Sequence, residues 1–321
     1  MNNDYTSHNT SHHPSHHPSH NMNMNKDYQI LADRKNEYLA YEGTEIITWC
    51  AGCGNYGIQK ALERALVLEG IPADKTLFCY DIGCNGNGSD KIGNRAVYTL
   101  HGLHGRVIPV AAGAAVANPQ IKVIAEGGDG GTMSEGVNHL VHSVRSNYPM
   151  VFILHNNENY GLTTGQASAT TRMGNKMNGS PDGVISPPMN CCDFVLGLNP
   201  TFIARSFSGD VKHMTDILRA AIRHNGFAFV EILQVCTTYN KATPQEWYLQ
   251  RVKYLEKTPK TIEAARKACA DMENKINIGI LYQDKKSVDY LGRLANRAGV
   301  KTAPVDEVKH FDISGLLKQF E

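Results

Sequence analysis

Nowhere in its 321 residues does the chain carry an apolar run approaching the length of a membrane span, which excludes a helix crossing a bilayer. Blocks of lysine and arginine are also missing. Its 32 basic residues stand against 31 acidic ones, and the net charge of +1 removes the electrostatic case for nucleic acid. No signal peptide precedes the fold. Eight cysteines in a chain this long do not make a secreted disulfide scaffold, so metal or cluster binding in the cytoplasm is the expectation. Cys50-Ala51-Gly52-Cys53 has no strand directly before it, as a thioredoxin-like arrangement needs. A zinc ribbon would want a second Cys-x-x-Cys pair, and there is none. Alone, the motif leaves zinc, a redox disulfide and a cluster open.

What is present divides unevenly. Residues 1–25 are polar and of low complexity, with SHHP repeated and six histidines before Asn21. Such a segment buries too little apolar surface to offset its ordering entropy, so a disordered tail is expected, with adventitious metal binding as its functional alternative. From residue 26 to about 240, strands and helices alternate, the pattern of a doubly wound, mainly parallel α/β sheet. Residues 241–321 read as a C-terminal extension of two or three helices and a strand over Ile276–Tyr282, with the mixed charge of solvated helix faces.

The chain is organised around Ile121–Gln166. A short apolar run ends in Gly127-Gly128-Asp129-Gly130-Gly131, and a helical pattern follows; a second run, Met150–Leu154, ends in Asn156-Asn157 before Tyr160-Gly161. In open parallel sheets, ligands bind at the carboxyl ends of the strands. Glycines allow close backbone approach, and a helix N-terminus favours phosphate. Asp129 and Asn157 are 28 residues apart, one crossover unit, so neighbouring strands can set their oxygens side by side. A carboxylate, an amide oxygen and a backbone carbonyl are the hard ligands that Mg²⁺ prefers.

The GDG and spaced NN resemble the thiamine-diphosphate fingerprint. Together with Trp49-Cys50-x-Gly52-Cys53-Gly54, Asp81-Ile82-Gly83-Cys84, Leu103-His104-Gly105-Arg106, Asn138-His139-Leu140 and Tyr160-Gly161-Leu162-Thr163-x-Gly165-Gln166, they extend to a family. The chain resembles the thiamine-diphosphate-binding β subunit of 2-oxoacid:ferredoxin oxidoreductases. The match continues through Tyr239-Asn240-Lys241, Trp247-Tyr248 and Gly279-Ile280-Leu281-Tyr282-Gln283, so it covers nearly everything after the tail.

That resemblance implies a thiamine-diphosphate-binding fold holding thiamine diphosphate, Mg²⁺ and a [4Fe-4S] cluster. It implies that Asp129, the Asn157 side chain and the Asn159 carbonyl hold the metal. Cys50, Cys53, Cys84 and Cys236 become the cluster ligands. The Ile82-Gly83-Cys84-Asn85 turn lies along the cofactor, with Gly128, Gly130, Gly131 and Thr132 at the diphosphate and Tyr160, Gly161, Leu162 and Thr163 beside it. His104 is implied as the catalytic histidine near the cofactor, with His101 as the alternative. Cys79 and Cys269 read as packing residues. Cys191 and Cys192 read as structural or mildly reactive residues in a loop.

The implied reaction is coenzyme A-dependent oxidative decarboxylation of a 2-oxoacid to an acyl-CoA and CO₂, the electrons leaving singly through the cluster to ferredoxin. The activating glutamate is implied on a partner α subunit, so a hetero-oligomer is expected and the chain alone is inactive. No membrane or nucleic-acid partner is expected. The sequence departs from the family at Thr164, where relatives acting on 2-oxoglutarate carry lysine, in the segment Asn85–Lys91, and at Gly131, where aspartate is usual. Two other readings compete: a non-redox thiamine lyase, which leaves the four cysteines idle, and a zinc-bound structural or electron-relay subunit.

Overall fold

The computed structural model describes residues 18–43, 48–92, 96–308 and 312–320. Eight strands form one sheet: β1 (Thr76–Tyr80), β2 (Tyr98–His101), β3 (Lys122–Gly128), β4 (Val151–Asn156), β5 (Phe202–Phe207), β6 (Ala228–Leu233), β7 (Val252–Tyr254) and β8 (Ile276–Gln283). Their order is β2-β1-β3-β4-β6-β5-β8-β7, and every pairing is parallel except β5 with β8. The doubly wound expectation holds. The chain leaves β1 toward β2 on one side and returns to β3 on the other, so the order reverses between β1 and β3. A crevice opens at such a switch point, at the carboxyl ends of the strands.

Both faces of the sheet are covered, and the side-chain alternation of the strands decides which residue faces which layer. Cys79, Val123, Ala125, Phe152 and Leu154 pack with α4 (Val107–Ala117), α5 (Val137–Ser146) and α6 (Cys191–Leu196). Phe78, Ile124, Val151, Ile153 and Val230 face α3 (Asn55–Leu68) and α7 (Val211–Arg223). In α3 the apolar spacing of Ile58, Leu62, Ala65 and Leu66 becomes a fully buried stripe. α7 starts where the Asp210 carboxylate accepts from the His213 backbone N–H, an N-cap that satisfies one of the free donors of the first turn.

Three regions differ from the sequence expectation. A helix covers Pro18–Asp33, so structure begins inside the segment expected to be a disordered tail; residues 1–17 lie outside the described residues. Tertiary contacts account for it: Asp27 meets Arg219 at 3.3 Å, Tyr28 lies under Arg64, and Leu31 packs on the core. Second, the stretch after 241 is not all peripheral, because β8 enters the main sheet antiparallel to β5. Third, Cys191 and Cys192 open a helix rather than sit in a loop. The Asn190 side chain caps it by accepting from the Asp193 N–H, and both thiols are buried.

The strand expected over Phe202–Ala204 runs on to Phe207 through a buried arginine. Arg205 on β5 is the register partner of Glu231 on β6, both are fully buried, and Arg205 Nε donates to Glu231 Oε2 at 2.6 Å. Asn156 and the Cys192 thiol donate to the same carboxylate. Burial pushes the Glu231 carboxyl up, but the guanidinium beside it prevails and holds it below the usual range. Removing one member of such a pair leaves a buried charge uncompensated, at roughly 3–5 kcal/mol. Arg205→Leu should therefore lower the urea midpoint by about that free energy, and Arg205→Leu/Glu231→Leu should recover most of the loss. A double variant no more stable than the single one would contradict the pairing account.

Candidate functional site

The ends of four parallel strands meet at the switch point. Tyr80 of β1 is in register with Glu126 of β3, and Gly128 of β3 with His155 of β4, and Asn156 of β4 with Leu233 of β6. Beyond the ladder the pairing continues: Asp81 N donates to Glu126 O at 2.9 Å, and Gln234 N to Asn156 O at 2.8 Å. The cleft that results is lined by Ile82, Gly83, Cys84, Asn85, His104, Gly128, Gly130, Gly131, Asn157, Asn159, Tyr160, Gly161, Leu162 and Thr163, together with His155 and Gln234. Nearly every residue implied for the cofactor is on that wall. His101 is not: it sits exposed on edge strand β2, its ring against Gly86. Thr132 is buried just behind.

After Asp129 the chain makes a π-helical turn over Gly130–Glu135, closed by Gly136 N to Gly131 O at 2.8 Å, before α5 begins. The two glycines at its start are there for space. A Cβ on Gly130 would lie 2.4 Å from the Tyr160 ring, and one on Gly131 would lie 2.2 Å from Asp81 Oδ2. A side chain at Gly131 would therefore collide with the Asp81 carboxylate as it stands in this chain. Asp81 in turn accepts from Gly105 N at 2.7 Å and Ile82 N at 2.9 Å, tying the His104 turn to the Ile82–Asn85 turn.

Asp129 is fully buried. Its carboxylate accepts from Asn157 N at 3.2 Å, Ser168 Oγ at 2.5 Å and Thr170 Oγ1 at 2.6 Å. Among the described residues no lysine, arginine or histidine pairs with it. Burial pushes this carboxyl up to about 6, against the lowering effect of the two hydroxyls and the N–H. Asn157 and Asn159 bond each other, Asn159 N to Asn157 Oδ1 at 3.1 Å and Asn159 Nδ2 to Asn157 O at 2.8 Å. The buried Asn159 Oδ1 is left without a partner, as are Asp81 Oδ2, Thr132 Oγ1 and Gln234 Oε1. A buried carboxylate without a counter-cation, bonded to Asn157 two residues before the orphaned Asn159 amide oxygen, is the kind of oxygen-donor chemistry that suits Mg²⁺.

The four cysteines gather on the same edge. Cys53 N donates to Cys50 O, Gly54 N to Val235 O at 3.1 Å, and Thr237 Oγ1 to Ala51 O at 2.9 Å, which fastens the Cys-x-x-Cys loop to the segment around Cys236. Trp49 Nε1 donates to Cys84 O at 2.6 Å. Burial pushes the Cys84 thiol up to about 12, and Cys53, Cys236 and Cys50 add to the rise as like charges. Among the described residues no three His, Cys, Asp or Glu side chains converge as a single-ion site requires. Cys79 and Cys269 are buried packing residues.

Sequence reasoning missed a polar layer beneath the cleft. His155 bonds Glu126 at 2.8 Å and Asn55 at 2.9 Å, all three buried. The available signal was one charged and one imidazole side chain inside otherwise apolar strands. It also missed Ser168, Thr170, Gln234 and Glu135. No lysine or arginine lines the cleft among the described residues.

Comparison with known proteins adds independent findings. Residues 81–232 match the thiamine pyrophosphate enzyme C-terminal TPP binding domain, and residues 236–298 match the C-terminal family of the pyruvate ferredoxin oxidoreductase beta subunit. The chain is 35% identical to the 2-oxoacid:ferredoxin oxidoreductase subunit beta of Saccharolobus solfataricus, over 84% of this chain and 95% of that one. It is 36% identical to a Sulfolobus 2-oxoacid:ferredoxin oxidoreductase subunit beta over 77% of this chain and 85% of the relative. Among solved structures, it resembles the 2-oxoglutarate:ferredoxin oxidoreductase from Magnetococcus marinus with 2-oxoglutarate, coenzyme A and succinyl-CoA bound. There the TM-score is 0.77 at 30% identity, covering 89% of this chain and 96% of that chain.

The Asp129 environment predicts how the cofactor-free protein responds to pH. A folded-state value of about 6 against an ordinary 3.8 means that the folded chain holds this proton longer than the unfolded one. The stability from that proton is complete below pH 3.8 and is lost as pH rises through about 6. Asp129→Asn, whose amide the rotatable hydroxyls of Ser168 and Thr170 accommodate, should thus stabilise the metal-free protein at pH 7 by up to about 3 kcal/mol. It should also remove the corresponding slope between pH 4 and 6. Denaturant melts of the metal-free proteins across that range test it; a destabilised Asp129→Asn at pH 7 would contradict the unpaired-charge account.

Proposed function

Because the chain belongs to the β subunits of 2-oxoacid:ferredoxin oxidoreductases, we propose that it binds thiamine diphosphate through Mg²⁺ and a [4Fe-4S] cluster, and that with its α subunit it converts a 2-oxoacid and coenzyme A to an acyl-CoA and CO₂. Two electrons and one proton are released per turnover, the electrons passing one at a time to two ferredoxins. The observation that carries this reading is the common edge: a buried carboxylate without a counter-cation and four gathered cysteines flank one cleft. Asp129, Asn157 and Asn159 are the residues that hold the metal. Cys50, Cys53, Cys84 and Cys236 would hold the cluster through their thiolates.

When bound, thiamine diphosphate supplies the electron sink for decarboxylation and the cluster supplies the one-electron acceptor. The chain's own residues do the rest. The backbone of the Gly130–Thr132 turn offers N–H donors to the diphosphate. Ser168 and Thr170 hold Asp129 in place for the metal, and Ile82, Leu162 and Tyr160 wall the cleft. His104 is the ring that can hold or give up a proton at the cleft mouth. Asn159 Oδ1 and Asp81 Oδ2 are the acceptors that cofactor or metal binding would satisfy. No cation lines the cleft among the described residues, so a second carboxylate on the substrate would need Lys91 or a partner residue to pair it.

Anaerobic purification with the α subunit, followed by iron, sulfide and thiamine analysis and a screen of 2-oxoacids for coenzyme A-dependent ferredoxin reduction, tests the reading. About four irons per chain together with bound thiamine diphosphate are expected. Cys236→Ser should lose most of the iron and keep thiamine binding, whereas Asp129→Ala should lose Mg²⁺-dependent thiamine binding and keep the iron. Thiamine without iron in the wild type would move the protein to a non-redox lyase, and zinc without thiamine would sink both readings.

A further inference from the structure

Glu135 is the last residue of the π-helical turn, and nothing in the strand–helix pattern marks it. The turn inserts one residue per hydrogen-bonded loop relative to an α-helix, a feature common at functional sites. Its effect is to bring the Glu135 side chain to the cleft mouth. Glu135 Oε2 lies 2.7 Å from His104 Nδ1, and Oε1 accepts from the Tyr160 hydroxyl at 3.3 Å. The two rings lie 5.9 Å apart and both line the cleft. One carboxylate thus ties together two cleft side chains from different segments.

The neighbouring charges leave that carboxylate to His104. Arg106 contacts the Glu135 backbone oxygen at 3.0 Å and His139 Nε2 at 3.1 Å rather than the carboxylate. Asp81 is occupied by the Gly105 and Ile82 N–H groups. Burial pushes the Tyr160 phenol up, and the Glu135 charge adds to the rise, so Tyr160 remains a neutral donor. An ionised carboxylate only accepts. His104 Nδ1 must therefore carry the proton, and among the described residues no protein group bonds Nε2.

We infer that Glu135 is a positioning residue that fixes His104 in the Nδ1–H tautomer, leaving the Nε2 lone pair free at the cleft. An imidazole oriented by a carboxylate through one nitrogen presents the other as a base with a defined direction. The proposal rests on the cofactor reading only for what Nε2 then acts on; the tautomer is a property of the chain itself.

The test follows this separation. In the full chain labelled with ¹⁵N-histidine, free of cofactor and held above the imidazole titration, the ring nitrogens of His104 are assigned by difference with His104→Asn. The wild type should show Nδ1 protonated. Glu135→Ala should shift His104 toward the Nε2–H form, and Glu135→Gln, whose amide can donate to Nδ1, should shift it further. In the reconstituted complex with the α subunit, Glu135→Gln should lower kcat by about 10²-fold, the lower range of general acid–base contributions, with KM for the 2-oxoacid changed far less. Unaltered His104 nitrogen shifts in both variants would overturn the proposal. So would a switched tautomer with undiminished kcat. Failure of the wild-type complex to turn over any 2-oxoacid would overturn the function and leave the tautomer measurement to decide the role of Glu135.

Discussion

Everything at the cleft depends on the register of four parallel strands. Because β1, β3, β4 and β6 are hydrogen-bonded side by side, their carboxyl ends stop on one line, and residues distant in sequence are delivered to within bonding reach. Slipping one strand by a residue would turn its side chains to the other face. That would take His155 away from Glu126 and Asp129 away from Asn157. The apolar layers on both faces hold the register, since Phe78, Ile124 and Ile153 fit one layer and Cys79, Ala125 and Phe152 the other.

The sheet buries charge in two contrasting ways. Arg205 and Glu231 are neighbours in register, and the carboxylate has a guanidinium, an amide and a thiol to satisfy it. Asp129 is as deeply buried but has only two hydroxyls and one N–H. A carboxylate matched by a cation serves the fold, although Arg205 Nη1 and Asn156 Oδ1 are left without partners. A charge held by neutral donors alone keeps most of the cost of its burial, which is why the Asp129 carboxyl is pushed up. Buried oxygens without partners also stand on Asp81, Thr132, Asn159 and Gln234.

Most of this was readable from the residues, because the strands and the Asp129–Asn157 interval are local patterns. Those two residues, 28 apart, meet through the Asn157 backbone N–H rather than its side chain, whose oxygen accepts from Asn159 N. What could not be read depends on partners that register or packing supplies. Arg205 looks like the end of an apolar run, and only Glu231 on the next strand explains why the strand continues. His155, Glu126 and Asn55 form a triad from three separate segments. Glu135 escapes because a helical period counted from Gly130 does not anticipate a π-turn. The helix from Pro18 contradicts a composition argument because its anchors, Asp27 and Leu31, act through α3 and α7 contacts.

The turn after β1 links the two halves of the chemistry. Asp81 braces the His104 turn, Asn85 Nδ2 donates to Glu126 O at 2.9 Å, and between them Cys84 faces the other cysteines while lining the cleft. A Cβ on Gly161 would come 3.1 Å from its sulfur, so the cofactor wall and the cysteine group share a boundary one side chain thick. The five residues from Asp81 to Asn85 therefore join the cleft to the cysteine group, Asp81 and Asn85 fixing the turn by hydrogen bonds and Cys84 belonging to both.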